Sequence, residues 1–294
     1  MYRAYISSLR YLSSKILQSF KMSLKLRLGF SILLGLIVIS WLGLRLSPYD
    51  PMSIGTARPN RPPSLSHPLG TDNVGRDELT LLFLASLNSL YIGFLTSIIG
   101  IMVAIFIGFI SAYYGGTIDT ILRTLTDIFI TIPSLPILIA VAVYVRKFEL
   151  YMMAILLSTF SWAWPARQIR SQVLSLKERP FIDLARVSGL RDIEIVIKEL
   201  VPNLFQYISI NFFKIALWAI LAEVGLEILG LGPQYTATLG IMIYWALNEY
   251  ALIRGFWWEF SPVIIIILVL GSFYLIHLGL DEIANPRLKK ITGI

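Results

Sequence analysis

The sequence of 294 residues contains no cysteine and only two histidines, His67 and His277. Disulfide bonds and thiolate metal sites are therefore excluded, and the wide separation of the two histidines argues against a metal site built on imidazole. No Gly-x-x-x-x-Gly-Lys-Ser/Thr loop is present to bind nucleotide phosphates, and neither a Gly-x-Ser-x-Gly nor a His-Glu-x-x-His motif occurs. We therefore expect that the chain is not an enzyme, and that its energy comes from a partner chain or an ion gradient.

Charged residues are also scarce, at 15% of the chain, whereas 56% of the residues are hydrophobic. The apolar residues occur in runs of about 20, the length that a helix needs to cross ~30 Å of hydrocarbon. The sequence therefore predicts an all-α polytopic membrane protein of the cell membrane. We interpret the net charge of +7 as an orientation signal, and we expect no nucleic-acid partner because the basic residues are not interleaved with aromatic ones in a soluble module.

Six apolar runs predict six transmembrane helices. They cover Leu28–Leu46, Leu90–Tyr113, Ile121–Val145, Tyr151–Pro165, Gln206–Leu229 and Ser261–Leu280. An even number of spans places both termini on one side of the membrane, together with the basic segment 166–205. The positive-inside rule assigns that side to the cytoplasm. The chain then divides into a basic cytoplasmic segment 1–27, a first span 28–46, an extracellular loop 47–89, a five-helix core 90–280 and a cytoplasmic tail 281–294.

The basic segment 1–27 contains lysines and arginines but no acidic residue. Apolar residues at helical spacing suggest a helix that lies along the membrane surface and binds lipid. A loose basic tail that fixes the topology explains the same composition.

Ionisable residues and prolines inside the predicted spans are candidates for a translocation path or gate. They are Asp127, Pro133, Lys214, Glu223 and Glu227. The spacing of Asp119, Arg123 and Asp127 on one helix face favours an ion-pair ladder within the third span. Lys214 also suits a structural role in which it snorkels to the cytoplasmic surface. Glu223 and Glu227 share a face and could line the path, contact a binding protein or form hydrogen bonds between subunits.

The longest charged segment, Lys177–Asn203, lies between the fourth and fifth apolar runs. It predicts a short helix that stops at Gly189, followed by a second helix that enters the fifth span at Pro202. One side of the first helix carries Phe181, Leu184, Ala185 and Ser188. Such a helix suits docking into a groove of another protein, and a solvated connector between two spans is the alternative.

The order of the motifs in this chain resembles one transporter family. The cytoplasmic segment reads Asp183-Leu184-Ala185, then Gly189, then Glu199-Leu200-Val201-Pro202, and is preceded by Ala166-Arg167-x-x-Arg170. The outer loop reads His67-Pro-Leu-Gly-Thr-Asp72 and then Gly75-Arg-Asp77. These motifs are similar to those of the membrane subunits of binding-protein-dependent ABC importers, and of the dipeptide/oligopeptide type in particular. Leu81 and Leu87 stand where that type usually has arginine, which puts the substrate in doubt.

The resemblance implies the type I ABC importer permease fold and a set of partners. These partners are a second homologous permease subunit, two ABC ATPase subunits that bind ATP and Mg, and an extracellular solute-binding protein, with a peptide or an oligosaccharide as cargo. The resemblance assigns ATPase coupling to Phe181, Asp183, Leu184, Ala185, Arg186 and Gly189. It assigns the outer loop on the binding-protein side to His67, Asp72, Arg76 and Asp77. An ion-coupled secondary transporter and a membrane scaffold protein stay open as alternatives.

Overall fold

A computed structural model describes residues 23–145 and 148–284 of the chain. Within these ranges the regular structure is helical and no strand is formed, which confirms the all-α prediction. The helices are α1 (Leu24–Leu46), α2 (Glu78–Tyr114), α3 (Gly116–Thr131), α4 (Ser134–Tyr144), α5 (Leu150–Ser161), α6 (Ala163–Lys177), α7 (Pro180–Val187), α8 (Asp192–Ile195), α9 (Val201–Ile228), α10 (Leu239–Asn248) and α11 (Ser261–Ala284). A π-helical turn, Val196–Leu200, joins α8 to α9, and a 3₁₀ turn, Trp257–Phe260, leads into α11.

Helix length and apolar composition identify four of the described helices as able to cross a membrane, namely α1, α2, α9 and the segment Trp257–Ile283. The pair α3 and α4 makes a fifth span if it is counted as one broken helix, since the two are bent by 81° at their junction. The predicted fourth span begins as α5, but this helix has only 12 residues and is followed by α6 after a break at Trp162.

The predicted extracellular loop 47–89 is too long, because α2 begins at Glu78 rather than at Leu90. The Asp77 side chain accepts a hydrogen bond from the backbone N–H of Thr80 and so fixes the start of the helix. Polar residues of the first turns stay helical because their hydroxyl groups bond within the helix, as Ser86 does to the Leu82 carbonyl oxygen. The low hydropathy of the residues before Leu90 therefore does not mean that they lie outside the helix.

Three other predicted boundaries also shift. Ser23 starts α1 at Leu24, inside the predicted segment 1–27, because its side chain accepts from the Leu26 N–H. The helix α9 starts at Val201, five residues before Gln206, and Pro202 lies in its first turn as predicted. The last helix extends to Ala284, into the predicted tail. The proposed surface helix within 1–22 and the tail 285–294 lie outside the described residues.

The core is built around α2, which has 37 residues and packs against α1, α5, α6 and α9. Its glycines permit this close packing. A Cβ atom at Gly93 would lie 2.9 Å from the Ile220 side chain, and one at Gly108 would lie 2.9 Å from the Ala166 carbonyl oxygen. The central helix therefore reaches from the outer loop to the cytoplasmic segment and contacts both halves of the chain.

The first and last helices approach each other closely at two glycines. A Cβ at Gly279 would lie 2.6 Å from the Leu26 backbone nitrogen, and one at Gly29 would lie 2.8 Å from the Ile276 nitrogen. Beside this contact the Ser23 hydroxyl donates to Glu282 over 2.9 Å, and Lys25 forms an ion pair with the same carboxylate. The contact therefore ties the N-terminal helix to the end of α11.

Replacing Gly279 by valine is expected to separate α1 from α11, since the new side chain meets backbone atoms that cannot rotate away. Overpacking of this kind costs about 1–3 kcal/mol, so the Tm of the detergent-solubilised protein should fall. Gly271→Val in the same helix is the matched control, because a Cβ there meets nothing within 4 Å. Equal melting temperatures for the two variants would contradict the close contact.

Candidate functional site

The charged segment Lys177–Asn203 contains the short helix that the sequence predicts. This helix, α7, covers Pro180–Val187 and is followed by Gly189 at φ +80°. A Cβ at Gly189 would meet nothing within 4 Å. Glycine is thus favoured here by the left-handed backbone and not by crowding, and the predicted stop at this residue is confirmed.

The two sides of α7 differ in exposure. Ile182 and Ala185 are buried in the core cluster that joins this helix to the inner ends of α2 and α6. Leu184 is 67% exposed and Val187 is 87% exposed. The prediction that Leu184 and Ala185 share a side is wrong, because Ile182 and Ala185 together set the buried face. Two apolar side chains one turn apart are left facing outward.

Contacts of the inner end of α2 tie it to both flanks of α7. The Tyr113 hydroxyl donates to the Asp192 carboxylate over 2.5 Å. The Lys177 ammonium donates to the Tyr113 carbonyl oxygen over 2.5 Å and lies 5.4 Å from the centre of the tyrosine ring. The sequence did not reveal these contacts, because Tyr113 is 64 residues from Lys177 and 79 residues from Asp192.

The carboxylates of α3 form ion pairs with α6 and not with their own helix. Arg170 donates to Asp119 through Nε at 2.6 Å and through Nη2 at 2.5 Å, and Arg167 pairs with Asp127. The bond to Asp119 raises the pKa of Arg170 above its ordinary value. Arg123 forms no ion pair in the described part of the chain. The predicted ladder within one span is therefore wrong, and these pairs instead join α3 to the helix that leads into α7.

The chain breaks between α3 and α4 at Pro133, as the sequence predicts. Residues on both sides of the break, Ile132 and Ser134, line a cavity of about 370 Å³, and Lys214 of α9 lines the same cavity. Asp127 lines a neighbouring cavity of about 330 Å³. The structure thus places Lys214 and the residues that flank the proline break on one cavity, whereas Asp127 lines the other cavity and is paired with Arg167.

Glu223 and Glu227 lie elsewhere, fully buried between α9, α2 and α10. The Ser89 hydroxyl donates to Glu223 over 2.7 Å, and the Thr238 hydroxyl donates to Glu227 over 2.7 Å. Each glutamate keeps one carboxyl oxygen without a hydrogen-bond partner. In this conformation both side chains hold helices of the same chain together, and neither lines the two cavities described above.

Two glycines make room for the Glu227 side chain. A Cβ at Gly232 would lie 2.6 Å from the Glu227 Cγ, and one at Gly240 would lie 2.5 Å from its Oε2. The backbone N–H groups of Gly240 and Ile241, in the first turn of α10, face the same carboxyl group. The start of α10 is thus fixed on Glu227.

The four predicted outer-loop residues are buried and contact one another or nearby helices. His67 Nδ1 lies 2.8 Å from Asp77 Oδ1, and Asp77 also caps α2. Asp72 accepts from Arg76 Nε over 2.6 Å, and the Arg76 guanidinium lies 4.0 Å from the centre of the Trp245 ring of α10. In this conformation they stabilise the loop. No group of three or more His, Cys, Asp and Glu residues in the described ranges is arranged to hold a metal ion.

Comparisons with known proteins agree on one family. Residues 79–290 match the family described as binding-protein-dependent transport system inner membrane component. A dipeptide transport system permease protein of Bacillus subtilis (strain 168) is 30% identical over 264 residues, which cover 89% of this chain and 82% of that protein. An oligopeptide transport system permease protein of Lactococcus lactis subsp. cremoris (strain SK11) is 32% identical over 228 residues, 77% of each chain. The family match includes α7 and both cavities.

Proposed function

The chain belongs to the family of binding-protein-dependent transport system inner membrane components, and on that basis we propose that it is the permease subunit of an ATP-driven peptide importer. One observation on this chain carries the proposal furthest. The inner side of α7 is fixed in the core, whereas Leu184 and Val187 on its outer side are exposed. A transport subunit without its own nucleotide-binding loop needs such a surface for an ATPase.

The proposed topology has six spans with both termini in the cytoplasm, in the type I importer permease fold. Four or five crossings are accounted for by helix length and composition in the described residues. We assign the remaining crossing to α5 together with the first turns of α6, since α6 continues the chain with only one residue between them. Basic residues of α6, including Arg167 and Arg170, then lie toward the cytoplasm, in keeping with the positive-inside rule.

The proposed assembly contains a second homologous permease subunit, two ATPase subunits that bind ATP and Mg, and an extracellular solute-binding protein. The second permease is supported by the exposure of the apolar side of α3, on which Ile121 is 62% and Ile128 is 49% exposed. Within a membrane an exposed apolar helix side contacts either lipid or another helix, and α3, in which only Thr126 is buried, offers such a side to a second permease.

The contacts around α7 provide a route by which an ATPase could move the membrane helices. When the ATPase pair closes, α7 shifts, and Lys177 and Tyr113 transmit the shift to α2. The Arg170–Asp119 pair transmits it to α3, which precedes the break beside the cavity. Alternating access would then follow from rigid-body motion of packed helices, with no chemical step in this chain.

The cargo that we propose is a peptide, because the relatives are named as dipeptide and oligopeptide transport system permease proteins. An oligosaccharide is the second cargo class. The buried carboxyl groups of Glu223 and Glu227 are the observation that would favour an ion-coupled carrier. Their hydrogen bonds to Ser89 and Thr238 within the chain support a structural role instead.

Co-purification tests the proposed function. The tagged chain is expressed in its native cells, extracted in mild detergent and isolated through the tag. We expect a homologous permease subunit and ATPase subunits in the complex, with ATP hydrolysis that rises when the binding protein and a peptide are added. Isolation of the chain without any ATPase subunit would argue for the carrier or the scaffold.

A further inference from the structure

Lys214 lies halfway along a membrane-crossing helix. It is the fourteenth residue of α9, which has 28 residues, so either end of the helix is about 20 Å away at 1.5 Å per residue. A lysine side chain is too short to reach either end of the helix over that distance. The snorkelling role that the sequence suggested stays a prediction, and the cavity lined by Lys214 offers its ammonium a second environment. Ionisable side chains at this depth face a cavity or a partner.

The cavity beside Lys214 offers polar groups but no acid. Its polar lining comes from Asn211 and Gln168, whose side chains are amides, and from the hydroxyls of Ser134 and Ser161, while aromatic side chains form much of the remaining wall. No aspartate or glutamate lines it. In the part of the chain that the structure describes, the Lys214 ammonium makes no hydrogen bond or ion pair, and the side chain is exposed to the cavity.

We propose that Lys214 binds the carboxylate at the C-terminus of the transported peptide as it passes this cavity, an inference that rests on the proposed import function. A cation that is held at membrane depth without a counter-charge gains most from an anion supplied by the cargo. The terminal carboxylate is the anion that peptides share whatever their sequence. Trp164 and Trp218 in the same wall offer apolar surface that accepts varied side chains.

Lysine also suits transient binding. Its single ammonium makes a point contact, whereas an arginine would hold a carboxylate through two parallel hydrogen bonds. A transport path requires binding that is favourable enough for entry and weak enough for release. Lys214 is therefore proposed as a specificity-determining residue for cargo with a free carboxylate, placed after the binding protein in the route.

The test uses the complete complex in proteoliposomes, with trialanine and its C-terminal amide as the two probes at saturating binding protein. Lys214→Gln is expected to slow ATP-dependent uptake of trialanine about tenfold, the loss of one charge-assisted hydrogen bond. Uptake of the amide should stay within about twofold of the wild-type rate, since the amide has no charge for Lys214 to bind. Because every arm contains the same binding protein, its own preference cancels from the ratio between variant and wild type.

Two further variants complete the experiment. Lys214→Arg keeps the charge and is expected to keep the preference for the free carboxylate, and it decides the outcome if Lys214→Gln does not assemble. Arg45→Gln removes an exposed cation at the far end of α1 and should alter neither rate. An unchanged carboxylate preference in Lys214→Gln, or its loss in Lys214→Arg, would overturn the inference while leaving import intact. Absence of ATP-dependent uptake by the wild-type complex would instead overturn the import function and the inference with it.

Discussion

A chain that carries both Leu184→Asp and Val187→Asp is expected to insert normally but to lose its ATPase subunits and ATP-driven uptake. Both side chains are exposed and contribute little to the fold. If an interface buries them fully, each of these side chains contributes about 1.5–3 kcal/mol through the apolar surface that it removes from water. Two buried carboxylates would add a desolvation penalty, so ATPase affinity should fall by more than about 100-fold.

The measurement compares ATPase content per permease after purification in mild detergent. Ser171→Asp with Ser175→Asp is the matched control, because it places two charges one turn apart on the exposed side of α6. This control should retain its ATPase subunits. Equal ATPase content in the Leu184/Val187 variant and the control would show that α7 is a connector and not a docking helix.

The second large effect is expected from Glu227→Leu. Leucine has a similar volume, but it leaves the buried Thr238 hydroxyl without its acceptor and removes the carboxyl group that the N–H groups of Gly240 and Ile241 face. An unsatisfied buried donor costs about 1–3 kcal/mol, so the contact between α10 and α9 should weaken and the free energy of unfolding should fall by about that amount. Thermal unfolding of the purified complex measures the loss.

Two companion variants separate this role from a general effect of removing a carboxyl group. Glu227→Gln keeps one acceptor oxygen and the shape of the side chain, and it should cost less than the leucine variant. Glu149→Leu removes an exposed carboxylate and should leave the Tm unchanged. If Glu227→Leu melts with the wild type but abolishes uptake, the carboxyl group acts in transport and not in packing.

Local signals in the sequence were sufficient to predict the short helix α7. A short run of charged and apolar residues followed by Gly189 predicts a helix and its stop, and the Gly189 backbone is left-handed as expected. The break at Pro133 followed from the same kind of local rule. The direction in which α7 faces could not be predicted from local rules, because Ile182 and Ala185 are buried against residues of α2 and α6 that are distant in sequence.

Long-range partners explain most of what the sequence could not predict. Asp119 lies four residues from Arg123, so helix spacing favoured that pair, whereas its partner Arg170 is 51 residues away. Glu227 was a candidate for the translocation path because no local pattern in the loop after α9 predicts that α10 folds back against this side chain. The apolar run begins only at Leu90, so hydropathy alone places the start of α2 too late. The capping pair Asp77 and Thr80 is the local signal of the true start at Glu78.

The most direct measurement of the central claim is peptide uptake into proteoliposomes that contain the complex, with the energy source varied. We predict that uptake requires the binding protein and requires ATP on the side of the membrane on which α7 lies. We also predict that uptake continues when ionophores collapse the ion gradients. Uptake that proceeds without ATP and stops with the ionophores would contradict the account and identify an ion-coupled carrier.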